Sequence, residues 1–185
     1  MAQRLATACL LGLVLCGFGV VGLQTADARN ITEFSDTISD SKPLEPANHT
    51  LEFTLLTDVG VGGYFDITTP PGFSLLATST FGIRNVELVV DGSVRSATSS
   101  PSATTDGISI TPGQPGQIRY TLDSSTPISS GSELEFRIGN HTSNARGVSF
   151  RYSSSTGTTT VPADIEPIIN ATSTGDHDVR LTVHD

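Results

Sequence analysis

Apolar and polar residues alternate along most of the chain after residue 30, which is the period-2 pattern of half-buried β-strands. The clearest alternations lie within residues 49–55, 64–68, 86–90, 117–123, 134–138 and 179–183. Residues that favour turns separate these segments, and no helical periodicity of useful length follows residue 28. The pattern therefore predicts an all-β fold, an antiparallel β-sandwich of about 8–10 strands.

The strand pattern is organised around the segment His49 to Phe73, HTLEFTLLTDVGVGGYFDITTPPGF. Leu51, Phe53 and Leu55 alternate with mostly polar neighbours, and a glycine-rich turn then leads into a second alternation. Glycine supplies the backbone freedom that a reversal needs. A Pro-Pro-Gly sequence ends the segment, because proline cannot donate to a sheet ladder. We expect these residues to form a hairpin that opens the fold.

Two further local signals concern strand pairing. Asp91-Gly92 lies between two apolar runs and is the strongest two-residue hairpin signal in the chain. In the first strand, residues 29–40, the apolar positions shift from odd at Ile31 to even at Phe34 and Ile38. This shift predicts a β-bulge or an edge strand.

The chain offers one place for a division into two units, the polar stretch at residues 98–106. We favour a single β-sandwich domain over residues 29–185, because each half alone would be small and would lack disulfides. Two small β units joined by residues 98–106 are the alternative.

The N-terminal 28 residues have the pattern of a secretory signal peptide helix. Arg4 precedes an apolar run at residues 5–23, and Ala26-Asp27-Ala28 matches a cleavage site before Arg29. An uncleaved membrane anchor is the alternative, although four glycines weaken the apolar run. We expect a secreted or cell-surface protein that meets the membrane through this segment alone, before cleavage.

Charge and cysteine content exclude several function classes. Asp and Glu number 19 against 10 Lys and Arg, for a net charge of −9. This balance argues against nucleic acid and anionic membrane surfaces, which attract basic proteins. Cys9 and Cys16 both lie in the signal segment, so the mature chain would have no disulfide, catalytic thiolate or cysteine-ligated zinc.

No residue pattern indicates a catalytic, cofactor or metal site. The four histidines have no His-x-His or His-x-x-x-His spacing, and we expect them on the surface. A weak calcium hypothesis rests on the acidic residues of the C-terminal third, although they lack the order of an EF-hand loop. These residues are Asp164, Glu166, Asp176, Asp178 and Asp185. No Gly-x-Ser-x-Gly elbow is present, so we expect no enzyme.

Three segments resemble Ig-like modules of secreted and cell-surface proteins of bacteria and archaea. YFDITTPPGF at residues 64–73 is similar to their "ITITFPxGF" strand, and residues 128–136 are similar to their "IxxGSxIxI" strand entry. Residues 173–183 are similar to their closing "SxGxYxVxLxV" strand, with His177 where Tyr is usual. The resemblance implies an Ig-like sandwich with an extracellular structural or adhesive role, and it transfers no catalytic residue.

The main functional expectation is a non-enzymatic module that contacts other extracellular or surface proteins, including further copies of itself. Its first strand, residues 30–38, or its last, residues 178–183, would add to the sheet of a neighbour. The alternative is a module that binds glycans or another surface ligand. That alternative needs exposed aromatic rings, and the chain has no Trp and three tyrosines, Tyr64, Tyr120 and Tyr152.

The sequence also bears on two possible covalent modifications, an isopeptide bond and N-glycosylation. An intramolecular isopeptide bond would need a buried lysine, and Lys42, the sole lysine, lies in a proline-containing connector. Four sequons begin at Asn30, Asn48, Asn140 and Asn170. Such matches arise often by chance in a Ser/Thr-rich chain, so the sequons alone do not establish glycosylation.

Overall fold

A computed structural model describes residues 30–76, 85–143, 150–154, 157–161, 168–173 and 177–185. The elements are strands: β1 (Ile31–Ile38), β2 (Pro46–Ala47), β3 (His49–Leu55), β4 (Tyr64–Thr68), β5 (Ser74–Leu75), β6 (Val86–Val90), β7 (Ser93–Val94), β8 (Ala97–Thr98), β9 (Asp106–Thr111), β10 (Gln117–Thr121), β11 (Glu133–Ile138), β12 (Phe150–Ser154), β13 (Gly157–Val161), β14 (Ile168–Ile169) and β15 (Arg180–His184). The proposed signal peptide and its cleavage residues Ala26, Ala28 and Arg29 lie outside the described residues.

Two five-stranded sheets make up most of the fold. The first has the order β1-β3-β11-β6-β7, and the second has the order β15-β4-β10-β9-β8. A three-stranded sheet, β2-β14-β5, and the β12–β13 hairpin complete the described strands. The all-β prediction is confirmed. Antiparallel pairing holds for every described pair except β8 with β9, which run parallel.

The two large sheets pack face to face through aromatic side chains. Phe136 of β11 lies 5.5 Å from Phe65 of β4 and 5.4 Å from Tyr120 of β10, measured between ring centroids. Phe53 of β3 lies 6.1 Å from the Phe65 ring. These rings are almost entirely buried. Burying a large apolar side chain contributes about 1.5–3 kcal/mol, so this aromatic layer is a main source of stability.

The predicted opening hairpin is wrong. β3 pairs with β1 and β11 in the first sheet, whereas β4 pairs with β10 and β15 in the second. Residues 56–63 cross between the sheets, and Val59 on the way exchanges backbone hydrogen bonds with Ile128. The crossing lets Phe53 and Phe65 meet across the core, which adjacent strands of one sheet would not do.

Other local predictions are confirmed. Asp91 and Gly92 take the positive φ angles of 49° and 76°, and Val90 pairs with Ser93 across the turn. β1 is an edge strand with a register shift between Thr32 and Ser35, where Glu33 has a φ of 56°.

Candidate interaction surface

The two lateral sides of the paired sheets are closed in different ways. On one side the chain passes from β7 directly to β8, so residues 93–98 join the sheets; we call this the closed side. On the other side the sheets end in β1 and β15, and no described strand pairs with the outer edge of either. The open side therefore comprises β1, Leu56 and residues 177–185.

A buried ionic cluster holds the closed side together. Arg95, between β7 and β8, donates from Nε to Asp106 Oδ2 at 2.6 Å and from Nη2 to Asp106 Oδ1 at 2.8 Å. Its Nη2 also donates to Asp123 Oδ2 at 3.1 Å. Tyr120 donates its hydroxyl to Asp106 at 2.7 Å. Asp106 is 1% exposed, so its charge depends on these donors.

The electrostatics of this cluster indicate a structural clamp. Hydrogen bonding to Asp106 raises the pKa of Arg95. Burial, together with the Asp106 charge, raises the pKa of the Tyr120 hydroxyl far above its usual value, so it remains a donor. Because Arg95 stays charged and Tyr120 stays protonated at neutral pH, neither group has the tuned pKa of an acid–base catalyst.

The stability that the Arg95 cluster provides depends on pH through the carboxyl group of Asp123. Burial opposes its ionisation, but the N–H groups of Ser125 and Thr126 outweigh burial and lower the pKa of this carboxyl. Stability from a carboxyl with a lowered pKa is present above about pH 4 and is lost as pH falls through the folded-state value. We expect Asp123→Asn to cost about 1 kcal/mol at pH 7. Urea unfolding should show this difference shrinking at pH 3, and an equal difference at both pH values would contradict the assignment.

The open side carries a groove that apolar and polar side chains line together. A cleft of about 940 Å³ runs between residues 30–34 of β1, Leu56 and residues 178–183. A second recess of about 470 Å³ continues it along β1 and shares Phe34, Asp178 and Val179 with it. Three large apolar side chains on this groove are exposed: Phe34 at 39%, Ile38 at 37% and Leu56 at 52%. Exposed apolar residues grouped in this way are typical of an interaction surface.

The two edges of the open side differ in their protection against pairing. β1 has the bulge at Glu33, and Asp36 on the same strand turns towards the groove. Bulges and inward-pointing charges are devices that prevent edge strands from adding a neighbour. β15 pairs with β4 in unbroken register and contains no proline. We infer that β15 is the edge better suited to strand addition.

The hydrogen-bond pattern shows which groups of β15 face outwards. Gly63 O accepts from Leu122 N, and Thr69 N donates to Gly116 O. The backbone N–H and C=O groups of the odd-numbered residues of β4 therefore point towards β10. The backbone groups of the even-numbered residues of β4 point the other way, towards β15, where their partners are residues 180, 182 and 184. Leu181 and Val183 then direct their backbone groups away from the sheet. Consistent with this, Val183 O accepts a long 3.4 Å bond from the Asn30 side chain of β1.

His49 is buried, and the prediction of a surface histidine is wrong at this position. It is 2% exposed, and its Nδ1 lies 2.9 Å from Asp36 Oδ2, while its Nε2 has no hydrogen-bond partner among the residues that the structure describes. The reason is strand parity: His49 shares the inward face of β3 with Leu51, Phe53 and Leu55. That alternation was visible in the sequence and could have placed the ring inside. The other three histidines are partly or fully exposed.

The tyrosines do not provide an open aromatic platform in the described residues. Tyr120 is in the core. Tyr64 lies on the outer face of the second sheet, where His184 stacks on its ring at 4.3 Å from the β15 side. Arg119 of β10, on the opposite side, holds its guanidinium 4.2 Å from the ring centroid. Both faces of the Tyr64 ring are therefore covered. Tyr152 lies in β12, a strand whose side chains the structure does not describe.

Other residues singled out in the sequence have local roles. The Lys42 side chain is 75% exposed beside Asp40, unlike a lysine buried for an isopeptide bond. Asp185 accepts from Gly60 N at 2.6 Å, and Asp178 is exposed. The remaining calcium candidates, Asp164, Glu166 and Asp176, lie outside the described residues. Within the described ranges, no group of three or more His, Cys, Asp or Glu side chains could hold a metal ion.

The side-chain nitrogens of Asn30, Asn48 and Asn170, three of the four sequon asparagines, donate hydrogen bonds within the fold. Asn170 is 4% exposed and donates to Asp40 O at 2.6 Å and Lys42 O at 2.9 Å. Asn48 donates to Asn140 Oδ1 at 2.6 Å, so two of the sequons lie side by side. A glycosylated asparagine keeps only one of its two side-chain N–H groups, so a glycan on Asn170 would break at least one of its two bonds. This favours an unmodified Asn170 once the chain has folded.

No protein-family model matches this chain, and no curated protein matches it. Among the residues that the structure describes, no helix combines the length and the hydrophobicity needed to span a membrane.

Proposed function

We propose that the protein is a non-enzymatic structural or adhesive module of the extracellular space or cell surface, which contacts other surface proteins through its open side. In this proposal residues 1–28 are a cleaved signal peptide, and the two facing sheets form an Ig-like sandwich. The observation that carries the proposal is the group of three exposed apolar side chains, Phe34, Ile38 and Leu56, along the groove between the edges of β1 and β15.

The contrast between the two sides supports this choice of surface. The chain crossing at residues 93–98 and the Arg95 cluster seal the closed side. Strands β7 and β8 there have two residues each, and such short edges resist pairing. The open side combines two strand edges with which no described strand pairs and exposed apolar side chains, and an added extended strand can contact both.

The alternative, a glycan-binding module, has less support. A sugar-binding platform needs an aromatic face that a sugar ring can cover, and Arg119 and His184 occupy both faces of Tyr64. Tyr120 is fully buried. We retain this alternative as an outcome of the test below rather than as a second proposal.

Photo-crosslinking in the producing cells tests the proposal. A benzoyl-phenylalanine replaces Phe34 on the open side of the full chain, and in a matched control it replaces Val94, which is 48% exposed on β7 of the closed side. We expect illumination to join position 34, but not position 94, to an extracellular protein that mass spectrometry identifies. The product can be another protein or a second copy of the chain.

Two results would count against the proposal. One is equal labelling from both positions, because specific contact requires a difference between the two sides. The other is the absence of any protein adduct at position 34 in cells that display the protein. Binding to a glycan array by the same purified chain, together with the second result, would favour the alternative.

A further inference from the structure

We propose that the second recess of the open side binds an arginine side chain of the partner protein. Its volume is about 470 Å³, and we call it the His49 recess because this buried histidine forms part of its wall. The inference rests on the proposed function and specifies the chemistry by which the partner is recognised. Four polar side chains line the recess: Asp36, His49, His177 and Asp178.

Hydrogen bonds at the recess determine which ring nitrogens can accept. An ionised carboxylate and a backbone carbonyl can only accept. His49 Nδ1 lies 3.2 and 2.9 Å from the two carboxylate oxygens of Asp36, so this nitrogen is the donor. His177 Nε2 lies 3.2 Å from Ser173 O and is likewise the donor. In the neutral form of each ring, the other nitrogen therefore keeps a lone pair, Nε2 in His49 and Nδ1 in His177.

All four polar side chains of the recess are then acceptors, and two of them are carboxylates. No lysine or arginine lines the recess, and Arg180 lines only the neighbouring cleft. The carboxylate of Asp178 has no hydrogen-bond or ion-pair partner within the described part of the chain. His49 Nε2 also lacks one there, although this atom is itself covered. Such a recess favours an occupant with several donors and a positive charge.

The rest of the recess wall is apolar and includes two phenylalanine rings. Phe73 lies nearly perpendicular to His49 and His177, with its ring centroid 6.2 and 5.0 Å from theirs. Phe34 lines the same recess and is 39% exposed. Faces of aromatic rings attract cations, arginine more often than lysine. The wall therefore suits a cation that also has an apolar stem.

Arginine fits this wall better than lysine does. A guanidinium is planar, has five donors and is more weakly hydrated than an ammonium group, so it enters a partly apolar recess at a lower cost. It can form two parallel bonds to the exposed Asp178 carboxylate, and its remaining donors suit the lone pair of His177 Nδ1. Its stem can pack against apolar side chains such as Val179. Arginine is also enriched at protein interfaces, whereas lysine is depleted there.

Binding of a blocked arginine to the full mature chain tests this assignment. The probe is N-acetyl-arginine methylamide, titrated into isotope-labelled protein and followed by NMR. Blocked citrulline, which keeps the shape but lacks the charge, and blocked lysine are the comparison probes. We expect saturable shift changes at His177 and Val179, with an affinity for the arginine probe at least about threefold higher than for either comparison.

A pair of variants identifies the carboxylate that the arginine contacts. Asp178→Asn should weaken the affinity for the arginine probe by about threefold to tenfold. The matched control is Glu52→Gln, which removes the same charge from an exposed position that lines a different recess. This control should leave the affinity unchanged. Circular dichroism on each variant establishes that it has folded.

Three results would overturn the His49 recess as an arginine site. They are shift changes confined to other surfaces, equal affinities for the arginine and citrulline probes, and equal losses from Asp178→Asn and Glu52→Gln. In the producing cells, Asp178→Asn should also reduce the photo-crosslinked adduct at position 34, whereas Glu52→Gln should not.

The outcomes separate this inference from the proposed function. An adduct at position 34 that Asp178→Asn leaves intact, together with no binding of the arginine probe, would overturn the inference and leave the proposed function standing. Specific binding of the arginine probe at the recess, without any protein adduct at position 34, would instead oppose the proposed function.

Discussion

Replacing Arg95 with methionine is expected to lower the free energy of unfolding by about 3–5 kcal/mol, because it leaves the buried Asp106 carboxylate without its cationic partner. The Arg95 side chain is 14% exposed and that of Asp106 is 1% exposed. Methionine keeps much of the side-chain volume, so the loss reports on charge more than on packing. Urea unfolding at pH 7, with its midpoint and slope, measures the effect.

Arg119→Met is the matched control for this prediction. Arg119 holds Asp66 with the same two-bond geometry, at 2.8 and 2.7 Å, but its side chain is 45% exposed. Solvent screens the exposed guanidinium of Arg119, so we expect a smaller loss of unfolding free energy than for Arg95→Met, although the Asp66 side chain is only 11% exposed. Equal losses from Arg95→Met and Arg119→Met would show that burial does not set the strength of the Arg95 cluster.

A double variant sharpens the interpretation of the Arg95 result. If the loss comes from an unpaired buried charge, then Asp106→Asn in the Arg95→Met background should restore part of it, because a neutral amide costs less to bury. The two sites are in contact, so their effects should not add. Strictly additive losses would contradict the uncompensated-charge explanation.

Phe136→Ala is expected to cost about 3–5 kcal/mol, since it removes the ring that contacts both sheets. Phe136 is fully buried, with the rings of Phe65 and Tyr120 within 5.5 Å across the core and Phe53 beside it at 6.2 Å. Phe34→Ala is the matched control, because the same side chain is 39% exposed at the open side. Scanning calorimetry should show a large fall in Tm for Phe136→Ala and a small one for Phe34→Ala.

This pair of variants also bears on function. A Phe34→Ala variant as stable as the wild type would show that this exposed ring contributes little to folding, which leaves contact with a partner as its remaining role. A loss for Phe34→Ala that matches the loss for Phe136→Ala would mean that Phe34 belongs to the core. The open side would then lose one of its three exposed apolar residues.

Local chemistry made much of the strand pattern predictable. Alternation identified the inward faces of β3, β10 and β11, and it contained the information that His49 lies inside. The Asp91-Gly92 turn and the bulge near Glu33 were also predictable, because positive φ angles and a shift in apolar parity depend on a few neighbouring residues.

The sequence alone determined the all-β class, most strand positions and the buried face of β3, β10 and β11, because these follow from side chains close together in the chain. Only the tertiary structure decided that β3 and β4 join different sheets and that Arg95 meets Asp106 and Asp123. It also decided that no described strand pairs with the outer edge of β1 or β15. The physical reason is that every strand presents the same backbone donors and acceptors. Their partners are chosen by packing of the whole core, and this choice places the candidate interaction surface on the open side.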